Sequence, residues 1–492
     1  MIVTCDAQKP LPLGGLFGDE LHIYDKDLAC IDEILREPAL YEVLREAIIR
    51  NSPKNAFKGP KRTAVNRVLR LFILKHIKNW SFRQLYTELQ RNLDYRAFTQ
   101  VFDDKIPDFS TFCRNFACID ELTIRQINDH LRDQAIAKGI IEGKKLRTDT
   151  TVCENNIHHP TDNTLLQDGV RVLTRIVRHA EEALPALGRM RDRARSVLRR
   201  VLQINQSTRA KGKAAETAKK QRSNSYHALM RITRCVVSDA QKVARKLGDR
   251  RVTRRLGLVD ELRVQGLRDE LHTMIPRVDT VIKQTRARIC HGDTQFPGKL
   301  LSIFEPQAAP IRKGKAHKPT EFGRLVEIDE VEHGFVSDYQ IFDGNPSDAM
   351  MLIPALKRHK RHFGRPPRKV ATDRGFWSLK NEEDAYSLGV KRVSIPFRGG
   401  PLSEVRRRLQ RSRWFRTLQR WRAGGEGRIG TLKTRFGLDR CMYKGNQGMH
   451  RWVGGCVLAN NLVVMARRLL KASHHDSEAT DQPQGQGTRK AA

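Results

Sequence analysis

Three acidic residues in three unlike settings are the part of this chain best equipped for chemistry. Asp149 lies within Leu146-Arg147-Thr148-Asp149-Thr150-Thr151-Val152, which reads as a strand. Asp373 closes a second apolar run, Lys369-Val370-Ala371-Thr372-Asp373, just before Arg374-Gly375. Glu426 sits in a strongly basic segment, with Arg422 four residues before it and Lys433 seven after. Carboxylates hold divalent cations and neighbouring Lys and Arg hold phosphate, so the set points to metal-assisted phosphodiester chemistry. Two carboxylates side by side repel each other unless a cation relieves them. Magnesium does so, and its oxygen ligands and open water positions suit phosphoryl transfer. On a helix, offsets of four and eleven residues keep Arg422, Glu426 and Lys433 within about 40° of one face. Gly424, Gly425, Gly427 and Gly430 weaken that helix by up to about 1 kcal/mol each relative to Ala, which close approach of the backbone to DNA would offset.

Each residue also has a plainer reading. A strand-end Asp is a common turn former, and a Glu among Arg residues is usually a solvated ion pair. Glu327, Asp329, Asp338 and Asp343 are rival carboxylates. They rank lower because their strands alternate outward or lie farther from the junction of the first and fourth strands.

Composition indicates the partner. The 492 residues hold 91 Lys+Arg against 55 Asp+Glu, a formal net charge of +36, which favours a polyanion through counterion release. A hydrophobic content of 39% argues against a short architectural basic protein and is enough for two or three buried cores. No uninterrupted apolar stretch approaches roughly 18–20 residues, so no membrane span is expected. The N-terminus, with Asp6, Asp19 and Glu20, lacks a signal-peptide pattern. Nine scattered cysteines, with Cys113 and Cys118 wrongly spaced for a zinc knuckle, read as reduced thiols in a cytoplasmic protein.

The elements that position these residues follow from periodicity. After an extension over 1–30, residues 31–138 read as all-helical. Val65, Val68, Leu69, Phe72, Ile73 and Ile77 recur at helical spacing, and Ser81-Phe82-Arg83-Gln84 and Pro107-Asp108-Phe109-Ser110-Thr111 start further helices. Short capped helices, with Arg67, Arg70, Lys75, Lys78 and Arg83 on or near exposed faces, suit a DNA reader; a plain helical scaffold is the alternative. Strand signals follow at 145–152. Residues 163–290 then form a long basic helical insertion, too polar for a core and fit to grip DNA or a second protomer. Asp162 before it reads as an N-cap rather than a ligand.

Strands resume at Leu300–Phe304 and in Arg324–Val331 and Phe335–Phe342, which flank a His333-Gly334 turn after a basic loop at 312–319. A helix from Asp348, the strand ending at Asp373, a helix, a strand over Val390–Ile395 and a long basic helix from about Leu402 complete the order, with a last apolar helix near Met449–Leu470. Residues 472–492 read as a disordered tail. The order predicts an α+β chain with a ribonuclease-H-like mixed sheet over 139–162 and 291–471. Its first and fourth strands would be neighbours about 4.8 Å apart.

Asp149 in Thr148-Asp149-Thr150-Thr151, Asp373 in Thr372-Asp373-Arg374-Gly375-Phe376, and Glu426 in Arg422-x3-Glu426-x6-Lys433 resemble the DDE transposases of bacterial insertion sequences, the ISNCY and IS-five-like groups most of all. Asn156-Ile157-His158-His159-Pro160-Thr161-Asp162, Lys318-Pro319-Thr320-Glu321-Phe322-Gly323 and Pro107-Asp108-Phe109-Ser110-Thr111 also look like theirs. The resemblance spans roughly residues 30 to 470. It implies Asp149, Asp373 and Glu426 as catalytic metal ligands for two Mg2+ ions, with Mn2+ as a substitute. It also implies DNA contacts by Arg422 and Lys433, cleavage at inverted-repeat ends and strand transfer by a free 3′-hydroxyl. The implied partners are transposon ends, target DNA and further copies of the chain, a homodimer or higher oligomer on the nucleoid, with no membrane. Gln419 departs from the pattern, which usually has Tyr there. Two other functions fit the same residues: a DNA-binding regulator or inactive relic, and a nuclease that cuts without strand transfer.

Overall fold

The computed structural model describes residues 25–51, 63–101, 106–210, 214–253, 256–312 and 319–480. The chain divides into two compact units, Ile157–Pro310 and the remainder on either side of it. Within the latter, the helices α1 (Lys26–Ile34), α2 (Pro38–Asn51), α3 (Val65–Ile77), α4 (Phe82–Arg91), α5 (Leu93–Thr99), α6 (Phe109–Ala117) and α7 (Glu121–Ala137) precede the sheet. The first helix begins inside the stretch expected as an extension, with the Asp25 side chain accepting from Leu28 N–H. The basic loop expected around 312–319 lies almost wholly outside the described residues.

The sheet is built on β1 (Lys145–Asn155), an eleven-residue run of mostly buried Thr, Val and Cys. Around it lie β2 (Ala309–Ile311), β3 (Glu321–Glu330), β4 (Val336–Phe342), β5 (Lys369–Ala371), β6 (Arg392–Ser394) and β7 (Arg440–Cys441). β3 runs antiparallel to β1, and β4 antiparallel to β3 through the turn at His333 (φ 61°) and Gly334. β5 pairs parallel to β1 and β6 parallel to β5, giving the order β4-β3-β1-β5-β6. This is the ribonuclease-H-like mixed sheet that the element order predicts. The run Leu300–Phe304 does not form a strand; Ile303 and its neighbours pack into the core of the other unit.

Helices α12 (Leu352–Phe363), α13 (Leu379–Ser387), α14 (Glu404–Arg411) and α15 (Arg413–Thr434) follow β4. The long basic helix expected from Leu402 is in fact two, because Ser412 turns extended (ψ 146°) and its hydroxyl caps Phe415 N–H. The last helix, α16 (Gly445–Thr480), runs past residue 472, where a tail was expected; the first proline beyond it is Pro483. By length and composition alone, Gly445–Ser473 could cross a membrane, but 72% of its apolar window is buried in the fold. It packs on α1, α3 and α7, and Asn461 bonds both the N–H and the carbonyl of Val336. This is a core helix.

Every residue of α3 is buried, which corrects the view of it as a DNA-reading surface. Arg70 bonds Asp32 and the Phe98 carbonyl. The Lys75 ammonium sits 4.7–5.3 Å from the rings of Trp452, Tyr443 and Phe82. Burial lowers its pKa to about 8. Of the five cations named, only Lys78 and Arg83 reach solvent.

The insertion is corrected as well. Its helices α8 (Asp162–Ala183), α9 (Ala194–Thr208), α10 (Ala214–Leu247) and α11 (Leu258–His291) enclose a core of their own, including Leu166, Leu173, Ile176, Leu229, Val236 and Val278. Thr161 caps α8; Asp162 is buried and paired with Arg288 at 3.0 Å.

Candidate active site

Register sets the first pair of carboxylates. The parallel ladder aligns Lys145 with Lys369, Leu146 with Val370 and Arg147 with Ala371. Continuing it by two residues brings Asp149 abreast of Asp373. On its other side, the end of β5 is tied to β6 by Thr372 N–H donating to the Ser394 carbonyl. Asp373 turns the chain: its carboxylate accepts from Gly375 N–H at 2.8 Å and caps a single helical turn. A side chain at Gly375 would meet Asp348 Oδ2 at 2.9 Å on one side and Asp373 Oδ1 at 3.0 Å on the other. Asp348 thus stands beside Asp373, and its Oδ1 accepts from Thr150 Oγ at 2.9 Å. Sequence reasoning took Asp348 only for a helix start, and no local signal distinguishes it.

Helix α15 supplies the third carboxylate. Arg422 lies between Asp149 Oδ2 (3.9 Å) and Glu426 Oε1 (3.2 Å), so it links the strand and helix carboxylates through one guanidinium. Glu426 itself is 70% exposed, reaching toward solvent. Lys433 is not brought into this group. Its ammonium is 14% exposed and lies between Glu321 (3.8 Å) and Asp439 (3.5 Å).

The helical glycines have a cause inside the protein. Cβ atoms at Gly424 and Gly425 would come within 3.2 Å of the Arg147 guanidinium, which threads past them to Glu330 at 2.8 Å and over the Trp421 ring. Space for Arg147, rather than for DNA, explains these two; Gly427 and Gly430 face open space.

Gln419 fills the position where the resemblance expects Tyr. Its amide nitrogen donates to the Ser394 carbonyl (2.7 Å), the Ser394 hydroxyl (2.9 Å) and the Thr372 carbonyl (3.3 Å). It therefore fastens α15 to the ends of β5 and β6, one residue from Asp373. Along the same helix, Arg413, Arg416 and Arg420 line an open groove of about 770 Å³ with Gln419 and Ala423. Sequence reasoning had not singled out these arginines, although their spacing of three and four residues was available to it.

Three of the four rival carboxylates are buried rather than turned outward. Glu327, Asp329 and Asp338 converge on Arg358 at 2.6, 2.9 and 2.7 Å. Asp343 is exposed and paired with Arg324.

Asp149, Asp373 and Glu426 present only hard oxygen donors, the chemistry a divalent cation takes, and positive charge is already held between two of them. The set is open: among the described residues, no three His, Cys, Asp or Glu side chains converge closely enough to hold an ion by themselves. It fits a divalent ion in donor type.

Residues 25–118 match the family described as Transposase domain (DUF772), and residues 306–462 match Transposase DDE domain. Asp373, Gln419, Arg422, Glu426 and Lys433 fall within the second match, and Asp149 outside both. No curated protein and no solved structure matches the chain.

Proposed function

We propose that this chain, matched by transposase family models over residues 25–118 and 306–462, is a DDE transposase of an insertion sequence that binds the ends of its element and carries out magnesium-dependent cleavage and strand transfer at Asp149, Asp373 and Glu426. The observation that supports this reading is the β1–β5 register over Lys145–Arg147 and Lys369–Ala371, which, continued by two residues, would set Asp149 beside Asp373, together with the Arg422 link from Asp149 to Glu426. These three carboxylates would hold two Mg2+ ions, with Mn2+ as a substitute. Bound there, the ions supply activation of the attacking water or 3′-hydroxyl and charge relief at the leaving oxygen.

The chain's own residues do the positioning. Arg422 is the cation set to meet the phosphate beside the scissile bond, in a geometry that a planar guanidinium serves better than an ammonium. Arg413, Arg416 and Arg420 track the adjoining backbone. Lys433, already paired with two carboxylates, anchors α15 to the sheet, and the clamp falls to Arg422. Joining two element ends calls for at least two protomers, so a dimer or higher oligomer forms on DNA in the cytoplasm, at the nucleoid.

The test uses purified full-length protein, a duplex carrying the element's end, and Mg2+, with products mapped to the nucleotide. Cuts at the end with a free 3′-hydroxyl, followed by joined products, are expected. Cuts without joining would make the protein a nuclease, and binding without cutting in Mg2+ or Mn2+ would make it a regulator.

Gln419 gives a second test. Gln419→Leu removes the amide that ties α15 to Thr372 and Ser394, hydrogen bonds worth about 1 kcal/mol each. Single-turnover cleavage is expected to slow by about tenfold, with DNA affinity nearly unchanged and a melting temperature lowered by a few degrees. An unaltered rate would mean that these contacts do not position Asp373.

A further inference from the structure

Behind the catalytic face of α15 lies a second, differently built cavity of about 560 Å³. Arg428 of α15 and Arg435 at its C-cap, Arg467, Arg468 and Lys471 of α16, and His333 of the β3–β4 turn line it, and no carboxylate does. Arg428, Thr431 and Arg435 stand two, five and nine residues after Glu426, which places them roughly 140–200° around the helix from it. One helix thus presents a carboxylate on one side and a cationic pocket on the other.

The pocket is held open by specific packing. Gly334, at φ 84°, leaves the space through which the Arg428 guanidinium passes, and any Cβ there would collide with it. Arg428 Nη1 donates to Asn460 Oδ1 at 3.0 Å, while its buried Nε makes no hydrogen bond among the described residues. The nearest acids stand at the back: Glu330 is 3.9 Å from Arg428 and Asp27 is 2.9 Å from Arg467. Arg468 donates to the His333 ring, which leaves both groups able to turn toward an anion. Burial first, and the neighbouring Arg467 second, push Arg435 below the usual guanidinium range, against the opposing pull of Asp27 and Asp25. Five cations here face three nearby acids, so positive charge remains in excess.

We propose that this cavity binds a backbone phosphate of duplex DNA at a point separate from the cleavage site. Five cations around one concave site match a phosphodiester with charge on two oxygens, and Arg offers it paired donors. A helix that carries Glu426 on its other face would then transmit the position of that duplex to the active site. The identity of the ligand rests on the DNA-processing reading above; the cavity does not depend on which residues cut.

The probe is a fluorescent duplex carrying the element's end, titrated by anisotropy with full-length protein over a range of NaCl concentrations. Arg435→Ser combined with Lys471→Ser removes two exposed cations and spares the buried Arg428. The slope of log affinity against log salt is expected to fall by about 1–2, with affinity about tenfold lower near 0.1 M salt. Lys357→Ser combined with Lys360→Ser, exposed cations of α12, serves as control. A slope and affinity equal to wild type, or a loss no greater than the control's, would overturn the proposal. Inorganic phosphate is titrated calorimetrically in parallel. Phosphate heat that vanishes in the double variant while DNA affinity stays intact would make the cavity a free-anion site and would also overturn it. Because binding is read without cleavage, a failure of the catalytic assignment leaves this result standing, and the reverse holds.

Discussion

Replacing Asp149 with Ala is expected to abolish cleavage while leaving the protein folded and bound to DNA. The substitution removes a strand-borne carboxylate that is 26% exposed and lies near the helix carboxylate's own partner, Arg422. It opens no cavity in the core and leaves the groove of Arg413, Arg416 and Arg420 in place. A group that acts on charge developing in the transition state costs rate rather than affinity when it is lost. The expected fall in single-turnover cleavage is about 10³-fold, with the dissociation constant for end DNA within a few-fold of wild type. Asp373→Asn should behave alike, since the two residues share one site. Asp343→Ala, at an exposed surface pair, should change neither quantity by more than about twofold. Nicking by Asp149→Ala at a rate within a few-fold of wild type, in Mg2+ or Mn2+, would remove Asp149 from the site.

What the sequence discloses and what it hides divide along a physical line. Both strands of the β1–β5 pair were legible because each carries a run of β-formers, Leu146 to Val152 and Lys369 to Ala371, although β1 continues to Asn155, beyond the residues that the sequence marks. The turn at His333-Gly334 and the caps at Ser81, Asp108 and Ser378 are local chemistry, written within four residues. The errors concern charges whose partners are distant. Composition places Arg and Lys outside, yet Arg70 is held by Asp32 and Phe98, and Lys75 by rings from Phe82 to Trp452. Lys433 shares the helical face of Glu426 in sequence, and the fold sets its ammonium near Glu321 and Asp439, partners that the sequence does not reveal. The insertion looked too polar for a core because its apolar residues occupy one stripe on each of four helices. The stripe is diluted in any short window and becomes a core only when the helices meet. Asp348 reaches the site through a fold contact with Thr150 and Gly375, and nothing near it in sequence reports that.

Loss of Arg358, carried by α12 and paired with carboxylates of the sheet, should strongly destabilise the fold. On the face of β1 and β3 opposite Asp149, Arg358 is the cation that Glu327, Asp329 and Asp338 share, and all three carboxylates are largely buried. Arg358→Met keeps the stem and deletes the charge, leaving buried acids uncompensated. The expected cost is about 3–5 kcal/mol, read as a large drop in melting temperature at neutral pH. The loss should shrink as pH falls, because protonated acids need no partner. Glu327 reports the same physics from the other side. Burial first, and the Asp329 charge second, push its pKa up to about 9. Its Oε1 makes no hydrogen bond among the described residues that would solvate a charge. A carboxyl raised in the folded state binds a proton that the unfolded chain releases above its ordinary value of 4.5. Its contribution to stability is therefore complete below that value and declines as pH rises toward about 9. Glu327→Gln copies the protonated form and does not titrate. Its melting temperature should match wild type near pH 5 and exceed it progressively toward pH 8.5. An offset between the two proteins that stays constant from pH 5 to pH 8.5 would show that Glu327 is ionised in the fold, with Arg358 neutralising it outright.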